Sequence, residues 1–192
     1  MINILERKIC DLDYDHKPGS ILYSGNETLR KGNFYFLGTN PGGHSDEKNN
    51  KFPDTIANQL LRKNTYSSFN EYYDAEWKKS NSRTSLPGQS LLQRRIKFLF
   101  KKLELDLKNI LSTNLVFLRS PTLNKFHLDF NEEAERCWEI HKILLEKVMP
   151  KFIIVYGLDA TRFICKKMDI HTEDYFKVIS ANENKFFSHI SG

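Results

Sequence analysis

No apolar run in this 192-residue chain approaches the roughly 18 to 20 residues that span a bilayer, so no stretch reads as a transmembrane helix. Cysteine is scarce. Cys10, Cys137 and Cys165 are far apart and odd in number, which excludes a disulfide framework and a CxxC-type metal or iron–sulfur site and leaves buried thiols as the expectation. The opening MINILERKIC lacks a basic n-region, a long apolar h-region and a small-residue cleavage site; the expected location is therefore the cytoplasm. His16, His44, His127, His141 and His171 show no HxxxH spacing, so neither a metal nor a cofactor is expected. A 20–50-residue repeat, a low-complexity tract and a Pro/Gly/Ser linker are also missing, which predicts one unit over residues 1–192.

What is present suits a packed core. Apolar residues make up 40% and aromatics 12%, enough for one domain that buries most of what its unfolded chain exposes. Lys and Arg number 29 against 24 Asp and Glu, a net charge of +5 that permits a polyanionic partner without demanding one. The cations gather in Arg94, Arg95, Lys97, Lys101 and Lys102, in Lys78 and Lys79, and in Arg119 and Lys125. For the first two clusters a solvated helix face explains the run without any function.

Three continuous apolar runs read as strands covered on both faces. Residues 33–37 (NFYFL) stop at Gly38-Thr39-Asn40-Pro41-Gly42-Gly43, residues 110–118 stop at Arg119-Ser120-Pro121, and residues 152–156 stop at Gly157. Between them, Leu91, Leu92, Ile96, Leu99, Phe100 and Leu103 recur at helical spacing, as do Ala134, Cys137, Trp138, His141, Leu144, Leu145 and Val148. Asn131 is placed as N-cap of the second of these, with Glu132 and Glu133 in its first turn and Pro150 closing it. Residues 158–168 make a shorter helix, and 175–179 and 185–187 two more strands. This alternation predicts an α/β fold, a three-layer sandwich whose mostly parallel central sheet has helices on both faces.

In such a sheet a ligand sits beyond the carboxyl ends of the strands. Three places qualify. In the 38–44 turn, glycines allow close backbone approach and Pro41 fixes φ beside Asn40, although the segment lacks the P-loop's Lys-Ser/Thr ending and a simple turn would look the same. Asn114 interrupts an apolar strand; a buried amide without partners costs roughly 1–3 kcal/mol, so it bridges backbone or faces a polar ligand. His189 follows an aromatic run near the end of the chain, where a lone His is more often structural.

The order of these segments resembles the uracil-DNA glycosylase superfamily. GTNPGG at 38–43 is similar to its first motif in the Asn-Pro-Gly form of the mismatch-specific and single-strand-selective branches, and STNLVFLRSPTLNK at 112–125 to its base-reading strand and following loop. PKFIIVYGLDATRF at 150–163 looks like the next strand, glycine turn and helix, and SHISG at 188–192 like the closing His-Pro-Ser motif. The resemblance covers residues 33–192 with gaps. It implies a single domain acting on DNA that carries a damaged or deaminated base, as a monomer, without metal or membrane.

The resemblance also implies roles. Asn40 would hold a water beneath the sugar carbon, and Gly38, Thr39, Pro41 and Gly42 would line the base. Asn114 would pair with N3–H and O4 of uracil, since one amide both donates and accepts. His189 would donate to O2 as negative charge develops there, Phe52 would stack on the flipped base, and Arg119, Lys125 and Ser191 would lie along the DNA.

Three departures qualify the chemistry. Asn40 stands where the most active branch has Asp, so general-base help worth roughly 10²–10⁴-fold is missing or supplied otherwise. The closing motif reads His-Ile-Ser-Gly, and the wedge and last helix that follow it in relatives lie beyond residue 192, which reads as a shortened domain or one that works without that wedge. Gly42 and Gly43 replace the bulky Tyr that excludes thymine, which predicts a wide pocket. The leading expectation is hydrolysis of the N-glycosidic bond of uracil or a related base. The alternatives are a weak or inactive nucleic-acid-binding member of the same fold and a nucleoside enzyme using the same pocket.

Overall fold

The computed structural model describes residues 1–42, 55–77, 85–120 and 128–170 in full, and the backbone of 176–181 and 185–190. At its centre lies strand β1 (Phe34–Gly38), flanked by β2 (Leu111–Asn114) and β3 (Phe152–Val155) in the order β2-β1-β3, with both pairings parallel. Tyr35 lies opposite Leu111 and Gly38 opposite Asn114 on one side; on the other, Phe34 faces Phe152 and Leu37 faces Val155. The ends of β1 and β2 are therefore level, and Gly38 and Asn114 share the carboxyl rim.

Alternation along β1 sends successive side chains to opposite faces. Tyr35 and Leu37 join a cluster with Leu5 and Ile9, Ile56 and Leu60, Ile140 and Leu144, and Ala160 and Ile164. Phe36 joins a second cluster, rich in aromatics, with Tyr23, Tyr72, Ile96 and Phe100. Apart from Tyr23 and Tyr72, which lie in irregular segments, those partners come from helices α1 (Ile2–Asp11), α2 (Ile56–Thr65), α3 (Leu91–Lys102), α4 (Phe130–Val148) and α5 (Leu158–Lys167). Each fully buried Leu, Ile or Phe among them contributes about 1.5–3 kcal/mol through removal from water.

The helix starts follow capping chemistry. The Ser90 hydroxyl accepts from Gln93 N while the Gln93 side chain accepts from Ser90 N, a reciprocal box that opens α3. On α4 the cap is Asp129 rather than Asn131: its carboxylate accepts from Asn131 N at 2.8 Å and Glu132 N at 3.0 Å, which places Asn131 inside the first turn. Met149 ends α4 in the left-handed region (φ 49°), just before Pro150.

The sheet's two outer edges differ. Along β2, the irregular segment 20–24 closes the edge: Ser20 N donates to Phe117 O (2.9 Å), Tyr23 N to Ser112 O (2.8 Å), and Ser112 N to Ser24 Oγ (2.9 Å). Beyond β3 no strand is paired among the described residues, and Phe152 at its start is 59% exposed. The expected fourth and fifth strands exist as β4 (Phe176–Ala181) and β5 (Lys185–Ile190), but they pair antiparallel with each other, Phe176 opposite Ile190, in a separate two-stranded sheet. This corrects the expectation that they extend a parallel sheet. A three-residue connection suits a hairpin, whereas a parallel crossover needs a dozen residues or more.

Cys137 and Cys165 are buried as expected, whereas Cys10, on the outer side of α1, is exposed. No helix among the described residues is long and apolar enough to cross a membrane.

Candidate functional site

The carboxyl rim of the parallel sheet gathers most of the residues singled out in the sequence. Gly38 and Asn114 are register partners, and a methyl group on Gly38 would collide with Asn114 Oδ1, so glycine at this position is what lets the amide lean across β1. Asn114 is only 3% exposed, yet its Nδ2 has no hydrogen-bond partner among the described residues. A buried donor left unpaired costs about 1–3 kcal/mol. The sequence offered two roles for this amide, bridging backbone or facing a ligand, and its Nδ2 makes no bridge to backbone among the described residues.

The turn after β1 is stitched to the chain after β2. Leu115 N donates to Gly38 O (2.8 Å), Val116 N to Thr39 O (3.0 Å) and Ser120 N to Pro41 O (3.0 Å). Asn40 folds its amide back onto this frame, Nδ2 donating to Pro41 O at 3.1 Å and to Ser120 O at 3.5 Å. On the other side, Thr39 Oγ1 donates to Tyr156 O at 3.3 Å, and Gly157 (φ 117°) makes room for that hydroxyl: a Cβ at Gly157 would collide with it. A Cβ on exposed Gly42 would meet nothing within 4 Å among the described residues.

Gly38, Thr39, Asn40, Pro41, Gly42, Asn114 and Arg119 are thus brought together. Arg119 Nη1 donates to Gly42 O, so one guanidinium N–H is spent on holding the turn. His189 lies in β5 opposite Lys177, in the sheet that has no ladder to β1–β3 among the described residues. Phe52, Lys125 and Ser191 lie outside the described residues. The basic cluster of α3 is where a solvated helix face would put it: Arg94, Lys101 and Lys102 are exposed, with Leu91 and Phe98 between them at 52% and 51% exposure.

Two groups near the rim have strongly shifted protonation. Burial lowers the His141 imidazole from 6.5 to about 4, against the opposing pull of the Leu115 and Asn114 backbone, so the ring is neutral at pH 7. Burial pushes the Cys137 thiol up to about 12, which keeps it from acting as a thiolate. The rim itself presents amides, a threonine hydroxyl and backbone groups, which can donate and accept hydrogen bonds but carry no titratable group. Asp13, Asp15 and the His16 ring come within metal-ligand range of one another on the turn after α1, the one such group among the described residues, and a partly or fully exposed one.

Sequence reasoning passed over His141 and Gly157 as site residues. Gly157 could have been flagged because it ends the β3 run, as Gly38 ends that of β1, and it lies beside Thr39. His141 offered only a polar residue at an apolar helix position. No family model matches this chain, and no curated protein matches it.

Proposed function

We propose that the chain is a DNA glycosylase-like protein that takes uracil or a related deaminated base into the carboxyl rim and hydrolyses its N-glycosidic bond. The observation that carries this reading is the buried Asn114 amide with an unpaired donor, set over a glycine at the end of a parallel strand. A pyrimidine edge with adjacent acceptor and N–H supplies the complement of such an amide. The open space at Gly42 supports tolerance of 5-substituted pyrimidines, because exclusion needs an atom to clash. In this reading the sheet is the middle of a three-layer sandwich, and β5 brings His189 to the base O2. The unpaired outer edge of β3 and the exposure of Phe152 support a further strand there.

A second reading, a member that binds without turnover, is favoured by Asn40. An amide takes no proton from water, and this one is already committed to Pro41 O and Ser120 O. One experiment separates the two. Single-stranded and duplex oligonucleotides with one deoxyuridine are incubated with the protein, then treated with alkali and resolved on a gel, with binding followed in parallel. Strand scission at the uracil supports the glycosylase; tight uracil-dependent binding without scission supports the binding member. Neither scission nor uracil-dependent binding would overturn both.

A further inference from the structure

The Asn114 amide is aimed by its backbone, because its Nδ2 has no partner of its own among the described residues. What holds that backbone lies one residue further on. Both main-chain polar groups of Leu115 are used: its N–H, in the peptide that follows Asn114, donates to Gly38 O at 2.8 Å, and its carbonyl, in the next peptide, faces His141 Nε2 at 3.0 Å. A carbonyl only accepts, so Nε2 carries the proton. Nδ1 of the neutral ring then accepts from the Tyr35 hydroxyl at 2.8 Å. The imidazole is fully buried and faces the rings of Tyr35, Phe117 and Trp138, which leave it one orientation.

This relay runs from β1 through α4 to the end of β2. The Leu115 carbonyl fixes the tautomer, the Tyr35 hydroxyl braces the ring at Nδ1, and the 19-residue helix α4 carries the imidazole. We propose that His141 is a positioning residue for Asn114, holding the main chain of the next residue, Leu115, so that the amide stays directed across Gly38. The proposal rests on the reading of Asn114 as the ligand-reading group. A ligand-reading amide needs this support because its own hydrogen bonds are kept for the ligand, and a small misplacement costs disproportionately in recognition.

The test compares uracil with cytosine in otherwise identical oligonucleotides, as a ratio of binding constants, together with thermal unfolding of each variant. His141→Leu keeps bulk and loses both hydrogen bonds; His141→Gln can still donate to Leu115 O. The expected result is a discrimination ratio about tenfold lower in His141→Leu and within about threefold of the parent in His141→Gln. A merely structural His would lower the melting temperature of both and leave the ratio of the folded protein unchanged. That result would overturn the proposal. If the parent itself shows no preference for uracil, the reading of Asn114 fails first, and the proposal with it. Should His141→Leu not fold, Tyr35→Phe decides, since it removes only the hydroxyl that braces the ring at Nδ1: a ratio lowered about twofold or more supports the relay, and an unchanged ratio overturns it.

Discussion

Two buried polar regions of this protein are treated in opposite ways. Around Lys63 and Glu71 every charge is answered. Lys63 is 0% exposed, its Nζ pairs with Glu71 Oε1 and sits 4.0 Å from the Phe69 ring centroid, and Trp77 Nε1 donates to Glu71 Oε2 at 3.4 Å. Even the Glu71 main chain is used, its N–H by Tyr23 O and its carbonyl by Gln93 Nε2 at 2.7 Å. At the rim, by contrast, Asn114 is buried to 3% with a donor that nothing among the described residues accepts. Most buried polar groups in folded proteins are paired, and an unpaired one at the carboxyl end of a parallel sheet, where ligands of such sheets bind, is what the proposed role of Asn114 rests on. Among the described residues Tyr14 Oη, Arg95 Nε and Glu133 Oε2 also find no partner, but they belong to a turn and to helices α3 and α4, and the other Glu133 oxygen accepts from Arg136 Nη1 at 3.0 Å.

The contrast can be broken most forcefully at the saturated end. Lys63→Met strands the Glu71 carboxylate in a buried site, and denaturant unfolding is expected to show a loss of about 3–5 kcal/mol. The double variant Lys63→Met/Glu71→Gln should recover much of it, because no uncompensated charge remains. A single variant as stable as the parent would show that the pair is not the closed network described here.

The His141 relay should yield to acid. With its pKa lowered from 6.5 to about 4 in the folded chain, the unfolded chain takes up the proton first. Stability contributed by the neutral ring is therefore full above pH 6.5, falls as the pH drops below it, and levels off near pH 4. Each pH unit of separation is worth about 1.4 kcal/mol, so the whole step is about 3 kcal/mol. Unfolding free energies of the parent minus those of His141→Leu across pH 4–7 isolate this step from the carboxylates. A pH-independent difference would contradict a buried neutral ring.

A smaller effect sharpens the rim itself. In Gly38→Ala the added methyl must displace the Asn114 amide, which overpacks the site by about 1–3 kcal/mol and redirects the reading group. Urea melts together with uracil discrimination test this, and both should fall. A variant that is destabilised yet discriminates normally would detach Gly38 from recognition.

Much of this architecture was legible in the sequence because its signals are local. The run at 34–38 is continuous because both faces of β1 are buried, whereas 152–155 is equally apolar although its residues are only half-buried and Phe152 is exposed. α3 and α4 carry helical periodicity. On α4 the choice between Asp129 and Asn131 turned on two residues of equal capping chemistry, two positions apart, and the carboxylate's two backbone bonds decide it. The helix α2 was not foreseen. Its buried stripe runs Ile56, Leu60, Lys63, and a cation on the inner face breaks the apolar pattern until Glu71, eight residues on, is seen to neutralise it.

The direction of β4 and β5 was missed for a different reason. Apolar content predicts a strand but not its partner, and the three-residue connection was the stronger signal. At the site, the turn and Asn114 stood out as polar or glycine-rich breaks at strand ends. His141 did not, because its partners Tyr35 and Leu115 lie 106 and 26 residues away, and no local window contains the relay.

The central claim is that Asn114 is buried for a ligand rather than for the fold, and Asn114→Ala tests it on both counts in one protein preparation. Removing an unpaired donor gives up no hydrogen bond within the described fold, so chemical denaturation should change by less than about 1 kcal/mol. Binding of a uracil-containing oligonucleotide, titrated by fluorescence anisotropy, should weaken by about tenfold to 100-fold as the base loses its partner. Unchanged binding with a stability loss of several kcal/mol would contradict the claim and make Asn114 a core residue of the sheet.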